Sequence, residues 1–335
     1  VELIVQLSLP TKLQNTSFSA TVPGLQLALD STSLGAYKTC PRLYYYSIVL
    51  GYAPRQQSVH LTFGLLMHGA RESYDHARAS GDDHEQALRA TVAWALRSTW
   101  LPALKRGWQS DSPEKNRLTL IRSIVWYLDE FENDNLETVI LASGKPAVEL
   151  SFQYDSGYRT IDGEPYLLCG HLDRLARFQG QPFILDLKST KHALSQRWFD
   201  QFTPGNQFSN YVLAGQVAFH EPVVGLIVDG LQVGATFTRC MRQQVPRPQA
   251  VLEEWHEGLR HWIVRLELSA REGAKRLVEG EDPTPAWPMN DLSCDKYGGC
   301  DFRGVCSREP ARRAQWLEAE YVRRVWNPLQ KRGDI

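Results

Sequence analysis

Asp173 in the run CGHLDRL and the triplet Asp186-Leu187-Lys188 in ILDLKST stand on what read as two successive strands. Carboxylates on neighbouring strands can meet at one divalent cation, and hard oxygen ligands on rigid elements suit Mg²⁺ and Mn²⁺. Side chains alternate along a strand, so Asp186 and Lys188 share a face, while Leu187 turns into the core and offers a cation only its backbone carbonyl. A cation so held lowers the pKa of a water and neutralises charge on a phosphate, and a lysine beside it can orient that water, which is the equipment for phosphodiester hydrolysis. Glu149, in PAVELSF, adds a carboxylate from the preceding strand. His68 supplies an imidazole nitrogen from a helix and biases an oxygen site towards Mn²⁺ alongside Mg²⁺. Taken singly, an Asp-x-Lys in a strand is more often a surface ion pair, and a lone histidine on a helix a satisfied core residue. Their order argues for chemistry: His68, Glu149, Gly170-x-x-Asp173, Asp186-x-Lys188, then Gln207-x-x-x-Tyr211.

The elements that must position these groups follow from periodicity. A helix starts near Ser31 to Ser33, carries Tyr37, Cys40 and Tyr44, and ends at Gly51 and Pro54. A second runs from 58 to 80 with Leu61, Leu65, His68 and Glu72 on one largely apolar stripe. Segments 83–106 and 114–134 are helical, with Trp94, Leu101, Ile121, Val125 and Leu128 in the core. Strands cover 147–154, 166–177 and 182–188, a helix 206–219, a hairpin 223–232 with 235–244, and a long helix 248–279. The fold class is therefore α/β, a mixed central sheet flanked by helices, with a helical insertion and a Cys-rich end.

Composition bounds the class. The 335 residues are 43% hydrophobic, enough for one large core or two modest ones and incompatible with general disorder. Lys and Arg number 37 against 38 Asp and Glu, a net charge of −1, which excludes a binder of nucleic acid that is basic all over but leaves room for a local basic groove. No apolar run reaches the roughly 18–20 residues of a membrane span, and the start VELIVQLSLP lacks the features of a secretory signal, so a soluble cytoplasmic protein is expected. There is no internal repeat. Six cysteines are too few for a disulfide scaffold, yet Cys294, Cys300 and Cys306 crowd together, which points to a metal or cluster site in a reducing compartment. Cys169 and Cys240 fall in strands and read as buried, inert thiols.

The series of motifs resembles the RecB-type nuclease domain of the PD-(D/E)XK superfamily, whose signature is a helical His, a Gly-x-x-Asp strand, an Asp/Glu-x-Lys strand and a Gln-x-x-x-Tyr helix. Ser33, Tyr37, Cys40, Pro41 and Tyr44 match the opening helix of the same family. The resemblance spans 31–306 and implies a restriction-endonuclease-like core, with 58–135 as helical lobe and 147–245 as catalytic sheet. It leaves 1–30 as an N-terminal appendage. It implies that His68, Asp173, Asp186 and the Leu187 carbonyl ligate Mg²⁺ or Mn²⁺, that Lys188 is catalytic with Glu149 nearby, and that Gln207 and Tyr211 position DNA. Tyr37 and Tyr44 pack in a core or stack on bases.

Cys40 with Cys294, Cys300 and Cys306 gives four thiolates, the complement of a 4Fe–4S cluster. This resembles the iron–sulfur branch of these nucleases, which includes AddB-like subunits, CRISPR adaptation nucleases and single-strand exonucleases. Structural zinc is the second choice, since zinc sites usually contain a tighter Cys pair, and free thiols the third. The activity implied is a single-strand-preferring exonuclease in repair, recombination or phage or CRISPR DNA processing; the alternative is a catalytically silent or partner-dependent subunit. No GxxxxGK[ST] motif occurs, so any helicase partner acts in trans. The segment 307–335, with Arg312, Arg313, Arg323 and Arg324 among Trp316, Tyr321 and Trp326, reads as a basic amphipathic helix, solvated or applied to DNA or a partner.

Overall fold

The computed structural model describes residues 17–219, 222–296 and 299–330. Residues 1–16 of the expected appendage and 331–335 of the expected terminal helix lie outside them. In chain order the elements are β1 (Ala28–Leu29), α1 (Ser31–Thr39), α2 (Pro41–Tyr44), β2 (Tyr52–Pro54), α3 (Val59–Ala79), α4 (His84–Ser98), β3 (Trp100–Leu101), β4 (Arg106–Gly107), α5 (Arg117–Glu130) and β5 (Leu136–Thr138). There follow β6 (Val148–Arg159), β7 (Pro165–Phe178), β8 (Gln181–Thr190), α6 (Gln196–Asp200), α7 (Asn206–Phe219), β9 (Gly225–Val233) and β10 (Thr238–Pro246). The chain ends with α8 (Gln249–Val278), α9 (Arg303–Cys306), α10 (Pro310–Glu320) and β11 (Tyr321–Arg323). Seven strands form a mixed sheet of order β1-β7-β8-β9-β10, with β5 and β6 also on β7. Two compact units share the chain: a motif unit of 57–150 and 171–248, and a cysteine unit of 1–56, 151–170 and 249–335.

In the motif unit β7 and β8 pair antiparallel, β8 and β9 parallel, and β9 and β10 antiparallel. β8 is buried on both faces, which is why FILDL reads as a nearly unbroken apolar run. On one face Leu187 joins Leu231 and Val233 beneath Phe63, Met67, Ala70 and Tyr74 of α3 and Leu120, Ile124 and Tyr127 of α5. The spacings of four, three and four along α3 define its core face, and each large side chain buried there contributes about 1.5–3 kcal/mol. On the other face α7 comes close to β8: a Cβ on Gly215 would lie 2.8 Å from Ile184 Cδ1. Gly69 has the same role between helices, since a Cβ there would meet the Trp94 ring of α4 at 2.5 Å. α5 starts where expected because Asn116 and Thr119 form a capping box.

The expected helix over 83–106 stops at Ser98. Pro102 disfavours helical backbone at Leu101, and the chain forms the small antiparallel pair β3–β4 instead. Leu101, expected in the core, is exposed. Trp94 and Ile121 are partly buried against the core, and Leu128 is fully within it.

In the cysteine unit α1 is capped by Asp30, whose carboxylate accepts the Ser33 N–H at 2.8 Å. The expected single opening helix is broken at Cys40 (φ −164°, ψ 114°), because Pro41 pushes the residue before it into extended backbone. Cys40 is therefore a junction between α1 and α2. α8 is fixed by His256, stacked 4.8 Å from Tyr158, and by buried Glu267, which accepts the Ile161 N–H at 2.9 Å and the Tyr166 hydroxyl at 3.1 Å. The tail departs most from expectation. α10 ends at Glu320, and β11 pairs antiparallel with β2. The Arg323 guanidinium lies 3.9 Å over the Tyr52 ring, and Trp326 Nε1 donates to the Asp30 carboxylate at 3.2 Å. What read as one amphipathic helix is a short helix and a strap, with Arg323 and Trp326 spent on internal contacts.

Candidate metal centre

The stripe of α3 that carries His68 is its open one: Leu61 and Leu65 are 54% and 46% exposed, while the core face holds the helix in place. His68 Nδ1 lies 3.0 Å from Asp173 Oδ2 and 3.7 Å from Glu149 Oε1. A ligand atom from each of the three lies within 4.8 Å of the others, and among the described residues this is the one such group of three or more. Asp173 stands one step beyond the last paired residues of β7 and β8, Arg174 and Leu185. There its Oδ2 accepts the Leu187 N–H at 3.2 Å, so a carboxylate takes the place of a main-chain partner where the ladder stops. Glu149 has φ +49°, a left-handed conformation costly for a residue with a side chain and concentrated at functional sites.

Asp186 is fully buried. Lys188 Nζ lies 2.9 Å from its Oδ1 and 2.7 Å from its Oδ2, so the pair shares a face as alternation requires, with Leu187 in the core between them. Burial pushes the Asp186 carboxyl up; Lys188 pulls it down and Asp173 adds to the rise, leaving it at about 6. Burial also raises Asp173, but His68, Lys188 and the Leu187 N–H outweigh it and hold this carboxyl below the usual range. For Lys188 burial is outweighed by the two carboxylates, which raise it. Two carboxyls whose acidities are driven apart mark a site where like charges crowd. One imidazole and two carboxylates, with a third carboxylate beside them, form a donor set that fits Mg²⁺ or Mn²⁺, and a divalent cation would relieve the crowding.

On α7, Gln207 Nε2 donates to the Tyr211 hydroxyl at 2.8 Å, and the Phe208 ring between them lies 5.8 Å from Lys188 Nζ. Tyr37 and Tyr44 are different. Their rings meet edge-on at 5.5 Å, both are buried, and Tyr44 donates to Gln26 at 3.0 Å. Base stacking needs an open ring face, and these have none, so core packing describes them.

None of the six cysteines is in a disulfide. Cys40 Sγ accepts the Asn290 N–H at 3.3 Å, and the Cys300 N–H donates to the Cys294 carbonyl at 2.8 Å. Burial raises the Cys300 thiol, with Cys40 and Cys294 adding to it. Cys306 is raised by burial against the pull of Arg42, with Cys40 and Cys300 adding. The four thiols lie in the same unit, near enough for their charges to act on one another. Burial holds Cys169 well above the usual thiol range and pushes Cys240 up to about 12, which makes both unreactive.

Sequence reasoning missed Lys115, buried with its Nζ on Ser189 Oγ at 2.9 Å and 4.1 Å over the Phe63 ring; the polar loop SDSPEKN gives no sign of it. It also missed the Arg71–Asp75 pair on α3, which four-residue spacing could have signalled. A cleft of about 670 Å³ lined by Trp126, Glu130, Leu194, Gln232, Arg239 and Met241 contains none of the metal-centre residues.

Comparison with known proteins agrees with the motifs. A sequence model of the PD-(D/E)XK nuclease superfamily matches residues 30–307. No curated protein matches the chain. A solved structure titled "Crystal structure of SSO0001" is similar at 13% identity over 84% of this chain and 87% of that one, with a TM-score of 0.32.

Proposed function

This chain belongs to the PD-(D/E)XK nuclease superfamily, and from that premise we propose that it is a Mg²⁺- or Mn²⁺-dependent deoxyribonuclease that digests single-stranded DNA from an end. The observation that carries this reading is the convergence of His68, Glu149 and Asp173 beside the Asp186–Lys188 pair. His68, Asp173, Asp186 and the Leu187 carbonyl hold the cation, with Glu149 adding a carboxylate. When bound, the cation neutralises charge at the scissile phosphate and lowers the pKa of a water. Lys188 stays protonated between the carboxylates and presents its ammonium to the attacking water or to a phosphate oxygen. Gln207 and Tyr211, locked to each other, steady the strand. The single-strand and end preferences rest on the family resemblance of the motifs.

Cys40, Cys294, Cys300 and Cys306 hold a 4Fe–4S cluster with a structural role. A zinc tetrahedron with bonds near 2.3 Å sets its sulfurs about 3.8 Å apart. Among the described residues no three of these thiols lie within 4.8 Å of one another.

The test is an anaerobic preparation assayed for iron and sulfide and for Mn²⁺-dependent degradation of end-labelled single strands, with circular single strands as control. Linear strands degrade and circles resist; circles cut at the same rate end the threading part of the proposal. Asp186→Ala abolishes cleavage and keeps DNA binding, and appreciable activity in that variant refutes the site. Iron without cleavage of any nucleic acid would instead identify a subunit that binds but awaits a partner.

A further inference from the structure

Behind the candidate metal centre a chain of buried charges runs through the motif unit. Arg174, next to Asp173 but across from Leu185, buries its guanidinium on the side opposite the carboxylate. Its Nε donates to Thr138 Oγ1 at 2.8 Å and stands 3.9 Å from Asp75 Oδ2. Asp75 takes a two-pronged bond from Arg71, both contacts at 2.9 Å. The Arg71 guanidinium lies 5.7 Å over the ring of Tyr127, whose hydroxyl donates to buried Asp229 at 2.8 Å. Asp229 in turn holds Arg242, which reaches Asp134 at 2.7 Å. Three arginines and three aspartates alternate from β7 through α3 and α5 to β9, β10 and the segment after α5.

Such a network is a poor source of stability, because desolvating the charges offsets much of their attraction. Arg174 Nη1 is even buried without a hydrogen-bond partner among the described residues. What the network does supply is register. Arg71 and Asp75 follow His68 by three and seven residues on α3 and so lie on its face. A shift of α3 by one residue turns it about 100° and would take Asp75 off Arg174 and His68 off Asp173 together.

We propose that Arg71, Asp75 and Arg174 are positioning residues that clasp α3 to β7 in the one register in which His68 meets Asp173. The proposal rests on the metal-centre reading above. It is tested on the 335-residue chain without DNA, by Mn²⁺ binding measured with electron paramagnetic resonance in a double-mutant cycle of Asp75→Asn and His68→Ala. Asp75→Asn weakens Mn²⁺ binding about tenfold or more, the range for removing support from a ligand, and has less than about a twofold effect once His68 is alanine. Equal losses in both backgrounds, or none in either, overturn the clasp. Should Asp75→Asn fail to fold, the combined Arg71→Met, Asp75→Leu and Arg174→Met variant removes the three charges at similar volume. It is expected to fold with the same weakened binding, and wild-type affinity in that folded variant overturns the proposal. A wild-type chain that binds no Mn²⁺ would refute the metal-centre reading and the clasp with it, whereas wild-type binding with additive losses refutes the clasp alone.

Discussion

In the function proposed, the carboxylate centre and the cysteine group are opposite solutions to holding a metal. The first is assembled from a helix and three strands whose core packing and buried ion pairs fix the ligands, with Lys188 as an internal cation between Asp173 and Asp186. The second draws its thiols from a helix junction, the segment around Cys294 and Cys300 and the end of the short helix α9, and burial raises two of them. On the proposed reading, rigid ligands await a cation that comes and goes, while thiols gathered from distant segments are ordered by the group they bind. The difference would separate a centre built for turnover from one built to fasten the chain.

The sharpest division between them comes from Lys188→Met. Cleavage should fall about a thousandfold, the loss of a charge aimed at the reacting phosphate, while Mn²⁺ binding is kept or tightened because the carboxylates lose their internal cation. Single-turnover cleavage alongside a Mn²⁺ titration decides it, and a variant that loses metal binding would make Lys188 a structural support.

Cys300→Ser addresses the other side. Releasing the tie from Cys40 to the 294–306 segment should cost about 2–5 kcal/mol by analogy with other long-loop cross-links. That corresponds to a midpoint roughly 3–7 °C lower, with iron lost and Mn²⁺ affinity unchanged. A parallel fall in Mn²⁺ affinity would show that the two regions are not separate devices.

The smallest effect concerns Lys115, whose ammonium burial pushes down to about 8. Its folded value lies below the unfolded one near 10.4, so the unfolded chain binds the proton more tightly and wild-type stability rises as pH climbs from about 8 towards 10. Lys115→Met should therefore be more stable at pH 7 by about 1–3 kcal/mol, an advantage that shrinks by pH 9.5 in urea titrations. An advantage independent of pH would mean that the buried charge is not its source.

Legibility followed the range of the forces involved. The bounds of α7 and the strands β7 and β8 could be read because periodicity is local, and the candidate metal-centre residues were named because their order repeats a known pattern; the apolar stripe read on α3, with Leu61 and Leu65, is instead its exposed one, and the core face of Phe63, Met67, Ala70 and Tyr74 was missed. Prolines at 41 and 102 were visible too, yet their power to break a helix was outweighed in the reading by apolar spacing; the structure shows local backbone sterics prevailing at Cys40 and Leu101. The tail failed for another reason: nothing in YVRR announces a strand, because its partner β2 lies more than 260 residues earlier. Arg174 and Asp75 are likewise joined only by the fold, and each alone looks like a surface charge.

The cysteine unit is assembled from three separate stretches of chain, the last beginning at residue 249, whereas every residue of the motif unit precedes that point. During synthesis the motif unit is therefore complete before the final stretch exists. Cys40 waits for Cys306, which is made 266 residues later, an interval of about 13–53 s at bacterial-to-eukaryotic elongation rates. For that time the first thiol stands without its companions, so a four-thiol group of the kind proposed could be completed only once Cys306 has been made.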